Sequence, residues 1–235
     1  MQQLRKLSVV IPVFNEEATV ETLIRRVLAV ELPKEVIVVD DGSTDQTPTI
    51  LARLCQDPEI AGVTVFLRHS RNQGKGAAIR TALQRVEGDV VIIQDADLEY
   101  DPREFPNLLE PILDGRADVV YGSRFLGGPH RVLYFWHYVG NRALTLLCNM
   151  LTNLNLSDME TCYKAFRAEV LKGVTIRSNR FEFEPEITIK IARQGCRIYE
   201  TPISYSGRSY AEGKKIGWKD GVRTMWALIR FKFAD

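Results

Sequence analysis

Short apolar runs alternate with polar stretches along the first half of the chain. The first run, LSVVIPV, is rich in β-branched residues. Runs of this length and composition predict strands that are buried on both faces of a sheet. The predicted strands cover residues 7–13, 35–40, 62–67, 89–94 and 118–121. The pattern therefore predicts a sheet built by the first 125 residues.

The stretches between these strands show helical periodicity. After the first strand, apolar residues recur at spacings of three and four, which predicts a helix with one buried face. These residues are Val20, Leu23, Ile24, Val27 and Leu28. Ser43 or Asp45 can cap the next helix, and a further helix covers residues 76–86. Alternating strands and helices predict an α/β fold with a mostly parallel central sheet flanked by helices.

The second half of the chain is less regular. Helical spacing is present in residues 131–153, 184–194 and 217–231. Extended segments are expected at residues 161–167 and 197–205. The last predicted helix has apolar residues at helical spacing, namely Val222, Met225, Trp226 and Ile229. No linker rich in Pro, Gly or Ser separates the two halves, so residues 1–235 are predicted to form a single domain.

Composition excludes several classes of protein. Hydrophobic residues make up 45% and charged residues 26% of the 235 residues, as is usual for a globular protein. A net charge of +1 argues against nucleic-acid binding. The four cysteines fit no zinc site, so reduced cysteines in a cytoplasmic protein are expected. Because no segment reaches the ~18 apolar residues of a membrane span, no transmembrane domain is expected.

Polar side chains follow three of the predicted strands. Asn15 and Glu16 follow the first strand, Asp40 and Asp41 end the second, and the pair Asp95 and Asp97 follows the fourth. Parallel sheets bind ligands at the carboxyl ends of their strands. These residues are therefore predicted to form a binding site.

Asp95 and Asp97 carry the most specific chemistry of this group. Two carboxylates two residues apart at a strand end can both reach one hard cation, and Mg²⁺ or Mn²⁺ commonly bridges such carboxylates to substrate phosphates. Residues 95–114 hold seven acidic residues and one basic residue, a net charge of −6. That charge would repel a diphosphate unless a metal intervened, so a metal ion is predicted here.

Three common motifs are absent. The chain has neither a GxGxxG after its first strand, nor a P-loop, nor a GxSxG nucleophile motif. Residues 72–76 (NQGKG) instead open a helix, and their glycines suit an anionic or closely approaching ligand. Lys75 is therefore a candidate contact for such a ligand.

Several motifs in order resemble the inverting family 2 glycosyltransferases with the GT-A fold. In the first half these are IPVFNEE, VVDDGSTDQT, NQGKGAA and QDADL. In the second half Gly122-Ser123-Arg124, the segment 158–164, FEPE and RSYAEGK resemble the branch that contains dolichyl-phosphate mannose synthase and polyprenyl-phosphate hexose synthases. The resemblance implies transfer of mannose or glucose, with inversion, from GDP-mannose or UDP-glucose to the phosphate of a polyprenyl or dolichyl lipid.

The resemblance also implies roles on the donor side. Most of these residues lie in a nucleotide-sugar-binding half at residues 1–125, and two lie late in the chain. Residues that resemble the family's nucleotide-sugar pocket are Pro12, Phe14, Glu16, Asp41, Lys75, Asp95 and Lys214. Asp95 and Asp97 resemble ligands of Mg²⁺ or Mn²⁺ and of the diphosphate. Glu99 stands where the family often has a Gln that also reaches the metal. Arg208 and Lys214 resemble clamps on the donor diphosphate.

The resemblance also implies residues on the acceptor side, for which residues 126–235 are the predicted acceptor half. Arg124 resembles a residue facing the acceptor phosphate, and Arg131 and Lys164 are further candidates. Lys164 replaces an arginine of the family, which is not a neutral exchange for phosphate binding. Catalysis is expected to depend on Asp97, Arg124 and Arg208. Because a lipid phosphate is already anionic at pH 7, no general base is required.

Two segments predict contact with a membrane surface. Residues 122–157 contain no acid, three arginines and a cluster of aromatic residues, a composition that suits the membrane interface. Residues 203–235 carry seven basic and three acidic residues, a net charge of +4. A cytoplasmic enzyme held peripherally on the membrane is expected, with a separate anchoring subunit as a further possible partner.

Three alternatives remain open from the sequence. The acceptor could be a glycan or a protein instead of a lipid. The chain could also be a non-catalytic subunit that binds a nucleotide-sugar, although the intact Asp95 and Asp97 pair argues against that. A nucleotidyltransferase, which would use a nucleoside triphosphate and release pyrophosphate, is a weaker third option.

Overall fold

The computed structural model describes residues 3–132, 134–209, 212 and 217–234, with the backbone alone for residues 218 and 219. A seven-stranded sheet crosses this part of the chain. Its strands are β1 (Leu7–Val13), β2 (Lys34–Asp40), β3 (Thr64–Arg68), β4 (Val90–Ile93), β5 (Val119–Ser123), β6 (Lys164–Arg167) and β7 (Ile198–Pro202). Each predicted strand of the first half is present, with ends shifted by one or two residues.

The strands lie in the order β3-β2-β1-β4-β6-β5-β7. All neighbours run parallel except β6, which is antiparallel to β4 on one side and to β5 on the other. The α/β prediction with a mostly parallel sheet is therefore confirmed. Chain order reverses direction between β1 and β4, and such switch points open a crevice at the carboxyl ends of the strands.

Helices flank the sheet on both faces. They are α1 (Val20–Ala29), α2 (Thr47–Leu54), α3 (Pro58–Ala61), α4 (Lys75–Leu83), α5 (Phe105–Leu113), α6 (Phe135–Thr152), α7 (Ala168–Lys172), α8 (Phe183–Arg193) and α9 (Trp218–Phe233). The sequence analysis did not predict α5, because Glu110 and two prolines interrupt its apolar spacing. Its buried apolar residues are Phe105, Leu108, Leu109 and Ile112, one face of a helix.

Gln46 is the N-cap residue of α2, and of the two predicted caps only Asp45 contacts the first residue of the helix. Its Oδ1 accepts a hydrogen bond from the Thr47 backbone N–H at 2.9 Å. The hydroxyl of Ser43 instead accepts from the Asn15 backbone N–H at 2.9 Å. Ser43 therefore ties the loop after β1 to the loop after β2, and both loops border the crevice.

The core consists of two apolar layers, one on each face of the sheet. Val9 and Ile11 of β1 pack on the side that carries α1, α2 and α5, and Val10 packs on the side that carries α4, α8 and α9. Because both faces are covered, β1 is apolar at successive positions instead of alternating. The acidic residues of the crevice accordingly lie at or after the carboxyl ends of β1, β2 and β4.

One apolar face of α9 points outward. Its exposed side chains recur at helical spacing and are Val222, Met225, Trp226, Ile229 and Phe233. The predicted apolar spacing is thus real, but Ala227, Leu228 and Phe231 form the face that packs on the protein. The neighbouring α6 exposes Trp136, Leu146 and Met150, among others. In the described ranges, no helix combines the length and the apolar character needed to cross a bilayer.

Candidate active site

The crevice brings together the ends of β1, β2 and β4, which are neighbours in the sheet. Glu16 follows β1, and Asp95 and Asp97 follow β4. Two non-glycine residues in these loops, Asn15 and Leu98, have positive φ angles of 52° and 63°. Such conformations are strained for a leucine, and at Leu98 the turn lies between Asp97 and Glu99. The chain therefore bends sharply where it presents these two carboxylates.

Arg208 lies among three of these carboxylates. Its Nη2 is 2.8 Å from Oδ2 of Asp97, its Nε is 3.3 Å from Oε1 of Glu99, and its Nη1 is 3.4 Å from Oε2 of Glu16. Arg208 comes from a segment more than 100 residues away in sequence, and the structure brings it onto the acidic site as the sequence motifs implied. One guanidinium thus faces three carboxylates.

Burial and like charge affect Asp97 most strongly. Desolvation, followed by the charges of Asp95 and Glu99, raises the pKa of Asp97 from 3.8 to about 7, although Arg208 acts in the opposite direction. A carboxylate whose charged form is disfavoured gains from an added positive charge. The electrostatics of the crevice therefore favour a cation beside Asp97.

Lys75, at the start of α4, is buried and paired with carboxylates. Its Nζ is 2.7 Å from Oδ1 of Asp95 and 3.4 Å from Oε1 of Glu184, and 9% of its side chain is exposed. Its role as a nucleotide-sugar contact stays a prediction. In the structure it neutralises Asp95 and connects the crevice to a buried pair, Glu184 and Lys164.

Lys164 does not face the crevice, and we correct its assignment. Its side chain has no exposed surface, and its Nζ donates hydrogen bonds to the carbonyls of Met159 and Thr161 and to the carboxylate of Glu184. All three donors of the ammonium are therefore used inside the protein. We leave Lys164 out of the acceptor site because the fold buries it on β6, between two other strands.

The glycines of the 72–76 loop serve packing between segments. A Cβ at Gly74 would come within 2.3 Å of the Asn179 carbonyl oxygen, and one at Gly76 within 2.3 Å of the Ser178 carbonyl oxygen. The close approach that we ascribed to a ligand is thus made by the chain's own backbone. Asp41 holds this loop, since its carboxylate accepts from the Gly74 N–H at 2.6 Å.

Asp41 and its neighbours form a polar cluster below the end of β2. The carboxylate also accepts from the Gln73 N–H at 2.9 Å and lies 2.7 Å from Nδ1 of His69. His69 in turn lies 2.9 Å from the Thr81 hydroxyl. The contribution of Asp41 to a nucleotide pocket stays a prediction. Both oxygens of its carboxylate already accept hydrogen bonds from the loop, so a ligand would have to share one of them.

Arg124 is fixed by a carboxylate that the sequence analysis did not single out. Its Nε and Nη2 each donate to Asp158 at 2.7 Å, a bidentate pair in which Asp158 is fully buried. Glu200 on β7 accepts from the backbone N–H groups of Ser157 and Asp158 at 2.9 and 3.2 Å. Glu200 therefore holds the turn that carries the partner of Arg124.

Tyr205 connects the acidic site to Arg124. Its hydroxyl donates to Oε2 of Glu99 at 2.7 Å, and the Arg124 guanidinium lies 5.2 Å from the centre of its ring. Contacts of this kind with an aromatic face contribute to holding a guanidinium in place. Tyr205 thus contacts both Glu99 of the acidic site and Arg124.

The other predicted residues lie as follows. Arg131 donates to the Gly207 carbonyl at 3.2 Å and to Glu212 at 2.8 Å, beside the segment that carries Arg208. Pro12 is inside β1 and Phe14 follows it, both partly buried. Lys214 lies outside the described residues. The roles predicted for Pro12, Phe14 and Arg131 stay predictions.

Glu160 is a buried carboxyl group that sequence reasoning also missed. Its Oε1 is buried without a hydrogen-bond partner, and desolvation, followed by repulsion from Glu184, raises its pKa from 4.5 to about 7. Glu160 and Glu184 lie in two of the segments that resemble the family, 158–164 and FEPE, but their burial could not be predicted because strands and helices distant in sequence create it.

The side chains of the crevice provide oxygen ligands of the type that binds a hard divalent cation. Asp95, Asp97 and Glu99 offer carboxylate oxygens, the ligands that Mg²⁺ and Mn²⁺ prefer. Within the described residues, no group of three or more His, Cys, Asp or Glu side chains converges in an arrangement ready for a metal. Lys75 and Arg208 instead contact Asp95 and Asp97. The residues that could hold the ion are present, and they are paired with side-chain cations.

Comparison with known proteins gives a family match over most of the chain. Residues 8–175 match the sequence profile described as "Glycosyl transferase family 2". The undecaprenyl-phosphate 4-deoxy-4-formamido-L-arabinose transferase of Pectobacterium carotovorum is 31% identical over 218 residues, which cover 91% of this chain and 64% of that protein. The low-salt glycan biosynthesis hexosyltransferase Agl6 of Haloferax volcanii is 31% identical over 234 residues, which cover 97% of this chain and 53% of that protein. The chain therefore spans less than two thirds of these relatives.

Solved structures with the same fold agree with the predicted architecture. Glucosyl-3-phosphoglycerate synthase from Mycobacterium tuberculosis, in complex with Mn²⁺, UDP and phosphoglyceric acid, has a TM-score of 0.74. It is 23% identical, and the match covers 98% of this chain and 80% of that chain. A complex of the same enzyme with Mg²⁺ and UDP has a TM-score of 0.71 at 24% identity, covering 97% of this chain and 79% of that chain. This likeness confirms the GT-A fold.

Proposed function

Because the chain belongs to glycosyl transferase family 2, we propose that it transfers a sugar from a nucleotide-sugar to the phosphate of a polyprenyl or dolichyl lipid. The observation that carries this proposal is the crevice at the end of β4. There Arg208 contacts Asp97 and Glu99, and Tyr205 contacts both Glu99 and Arg124. Acids for a metal–diphosphate group thus lie next to an arginine that can bind a second phosphate.

We propose a hexose, mannose or glucose, as the transferred sugar, with GDP-mannose or UDP-glucose as the donor. The relative from Haloferax is named a hexosyltransferase, and one of the structural neighbours was solved with UDP-glucose. The relative from Pectobacterium is named for an L-arabinose derivative. Overall similarity therefore leaves the sugar to be identified by experiment.

In the proposed reaction, an oxygen of the lipid phosphate attacks the anomeric carbon of the sugar. The bond from that carbon to the donor diphosphate breaks, the nucleoside diphosphate leaves, and the configuration inverts. Arg124 would orient the acceptor phosphate, and Arg208 would contact the departing diphosphate. Asp95 and Asp97 would hold Mg²⁺ or Mn²⁺, which when bound supplies positive charge to the leaving group. Catalysis would rest on positioning and electrostatics, with no proton to remove at pH 7.

We also propose that the exposed faces of α6 and α9 rest on the lipid surface, at the cytoplasmic face of the membrane. The two helices pack against each other, and each exposes a row of large apolar side chains. Arg142, Arg223 and Arg230 lie on these helices among the exposed residues, which suits anionic headgroups. A separate anchoring subunit could add to this contact. The acceptor lipid would then reach the crevice from the surface on which the enzyme lies.

Substitutions in these rows should weaken binding to vesicles. We expect Trp136→Glu or Trp226→Glu to reduce binding to anionic vesicles by about tenfold each, because each removes a buried aromatic contact with the lipid. Val63→Glu, at an exposed apolar position away from both helices, is the matched control and should bind as the unmodified protein does. Vesicle flotation measures the bound fraction, and equal flotation of all variants would refute a lipid role for these faces.

The function is tested by mass-spectrometric detection of a glycosylated lipid. The protein would be incubated with a short polyprenyl phosphate, Mg²⁺ or Mn²⁺, and a panel of GDP- and UDP-sugars. A metal-dependent polyprenyl-phosphate hexose is the expected product. Nucleotide release only with glycan or protein acceptors would replace the lipid acceptor. Nucleotide binding with no turnover on any acceptor would indicate a non-catalytic subunit, and pyrophosphate release from a nucleoside triphosphate would indicate a nucleotidyltransferase.

A further inference from the structure

Arg208 occupies a position beside Asp97 that a bound cation would also favour. Its guanidinium reaches Oδ2 of Asp97 at 2.8 Å and lies within 3.4 Å of a carboxylate oxygen of both Glu16 and Glu99. Only 18% of the side chain is exposed. The carboxylate oxygens that suit a divalent cation are therefore shared with a positive charge that belongs to the chain itself.

Glu99 of the acidic loop holds the segment that carries Arg208 through several contacts. Its Oε1 accepts from the Arg208 backbone N–H at 2.9 Å, and its Oε2 accepts from the Tyr205 hydroxyl at 2.7 Å. Its carbonyl accepts from the Ser206 N–H at 3.0 Å. Both carboxylate oxygens of Glu99 are thus used to hold residues 205–208. This arrangement differs from the metal-ligand role that the family resemblance implies for Glu99.

A divalent cation and a guanidinium cannot share Oδ2 of Asp97 without strong repulsion, because the site is largely shielded from water. We propose that Arg208 is a tethered counter-cation that competes with the divalent metal for Asp97, and that Glu99 and Tyr205 hold it in place. The inference rests on the metal and diphosphate roles in the proposed function, and assigns to Glu99 a positioning role. It predicts a metal site that is weak until Arg208 has another anion to contact.

The donor diphosphate is that anion. When it takes the guanidinium of Arg208, the oxygens of Asp97 become available, so nucleotide and metal bind together. Because coupling between two ligands is reciprocal, the metal must tighten nucleotide binding by the same factor. Removing Arg208 should therefore strengthen binding of the metal alone and weaken the coupling between the two ligands.

Binding of Mn²⁺, measured by the electron paramagnetic resonance signal of the free ion, tests this without any turnover. We expect Arg208→Met to bind Mn²⁺ about tenfold more tightly than the unmodified protein in the absence of nucleotide. Tyr205→Phe removes one hydrogen bond of the tether and no charge, and should shift the affinity in the same direction by less. Arg197→Met, which removes an exposed arginine paired with Asp118, should leave it unchanged.

Addition of UDP or GDP completes the test. The nucleotide should tighten Mn²⁺ binding more in the unmodified protein than in Arg208→Met. Equal Mn²⁺ affinity of the unmodified protein, Arg208→Met and Tyr205→Phe, with nucleotide still promoting metal binding, would overturn the competition and leave the proposed function intact. Failure of every variant to bind Mn²⁺, even with nucleotide, would overturn the metal-dependent function and the competition with it.

Discussion

Asp97→Asn should reduce sugar transfer by about a thousandfold while leaving the protein folded. Asp97 is the carboxylate that meets Arg208 and is proposed to hold the metal, and loss of one such electrostatic group costs about 10²–10³ in rate. The fold should tolerate the change because burial already disfavours the charged form of Asp97, raising its pKa to about 7. Mass-spectrometric product formation measures the rate, and thermal unfolding measures the stability.

A matched control distinguishes the effect of losing Asp97 from the effect of losing any one acidic residue of the same segment. Asp114 lies in the same acidic stretch and pairs with Arg116 at the surface, away from the crevice. Asp114→Asn should therefore retain nearly full activity, since exposed pairs contribute little. If Asp97→Asn keeps more than about a tenth of the activity, Asp97 neither holds a catalytic metal nor supports the leaving group.

The sequence predicted the first half of the fold well because each strand there is buried on both faces. A continuous apolar run such as LSVVIPV has few alternatives, and its polar ending marks the edge where ligands bind. The antiparallel placement of β6 between β4 and β5 was not predicted. Pairing between strands more than 40 residues apart depends on the whole fold, and no local pattern records it.

The candidate site, like the fold, was predicted from the sequence only in part. Asp95, Asp97 and Arg208 were identified because their motifs are ordered along the chain, and the structure brings Asp97 and Arg208 into contact. The partners that fix them were missed. Asp158 begins a segment that resembles a family motif but was given no role of its own, and Glu200 looks like an ordinary acid. Only the fold places them beside Arg124 and its turn. Sequence motifs thus indicated candidate groups, whereas only the fold shows that one candidate, Lys164, is fully buried in a pair with Glu184.

Lys164 is the clearest example of a candidate residue whose burial only the fold shows. Paired substitutions of Lys164 and Glu184 can test its structural role. Glu184→Gln should destabilise the protein by about 3–5 kcal/mol, because it removes the carboxylate that contacts the fully buried ammonium of Lys164. Lys164→Met should cost less, since Glu184 keeps its contact with Lys75 at 3.4 Å. The double variant should recover most of the loss, as buried ion pairs can be replaced by apolar or neutral groups at small cost. Urea unfolding at pH 7 measures all three.

The same variants decide between a structural and an acceptor-binding Lys164. If Lys164 serves only to balance Glu184, the folded Lys164→Met and double variants should keep the KM for polyprenyl phosphate within about twofold, because no exposed group has been lost. An acceptor contact would instead raise that KM by about tenfold or more in both variants, whatever their stability, since a charge-assisted contact to phosphate would be missing. Arg124→Lys is the positive control, because its guanidinium is proposed to orient the phosphate and lysine cannot replace its bidentate geometry. A raised KM in Arg124→Lys together with an unchanged KM in Lys164→Met would place acceptor recognition on Arg124 and confine Lys164 to the buried network.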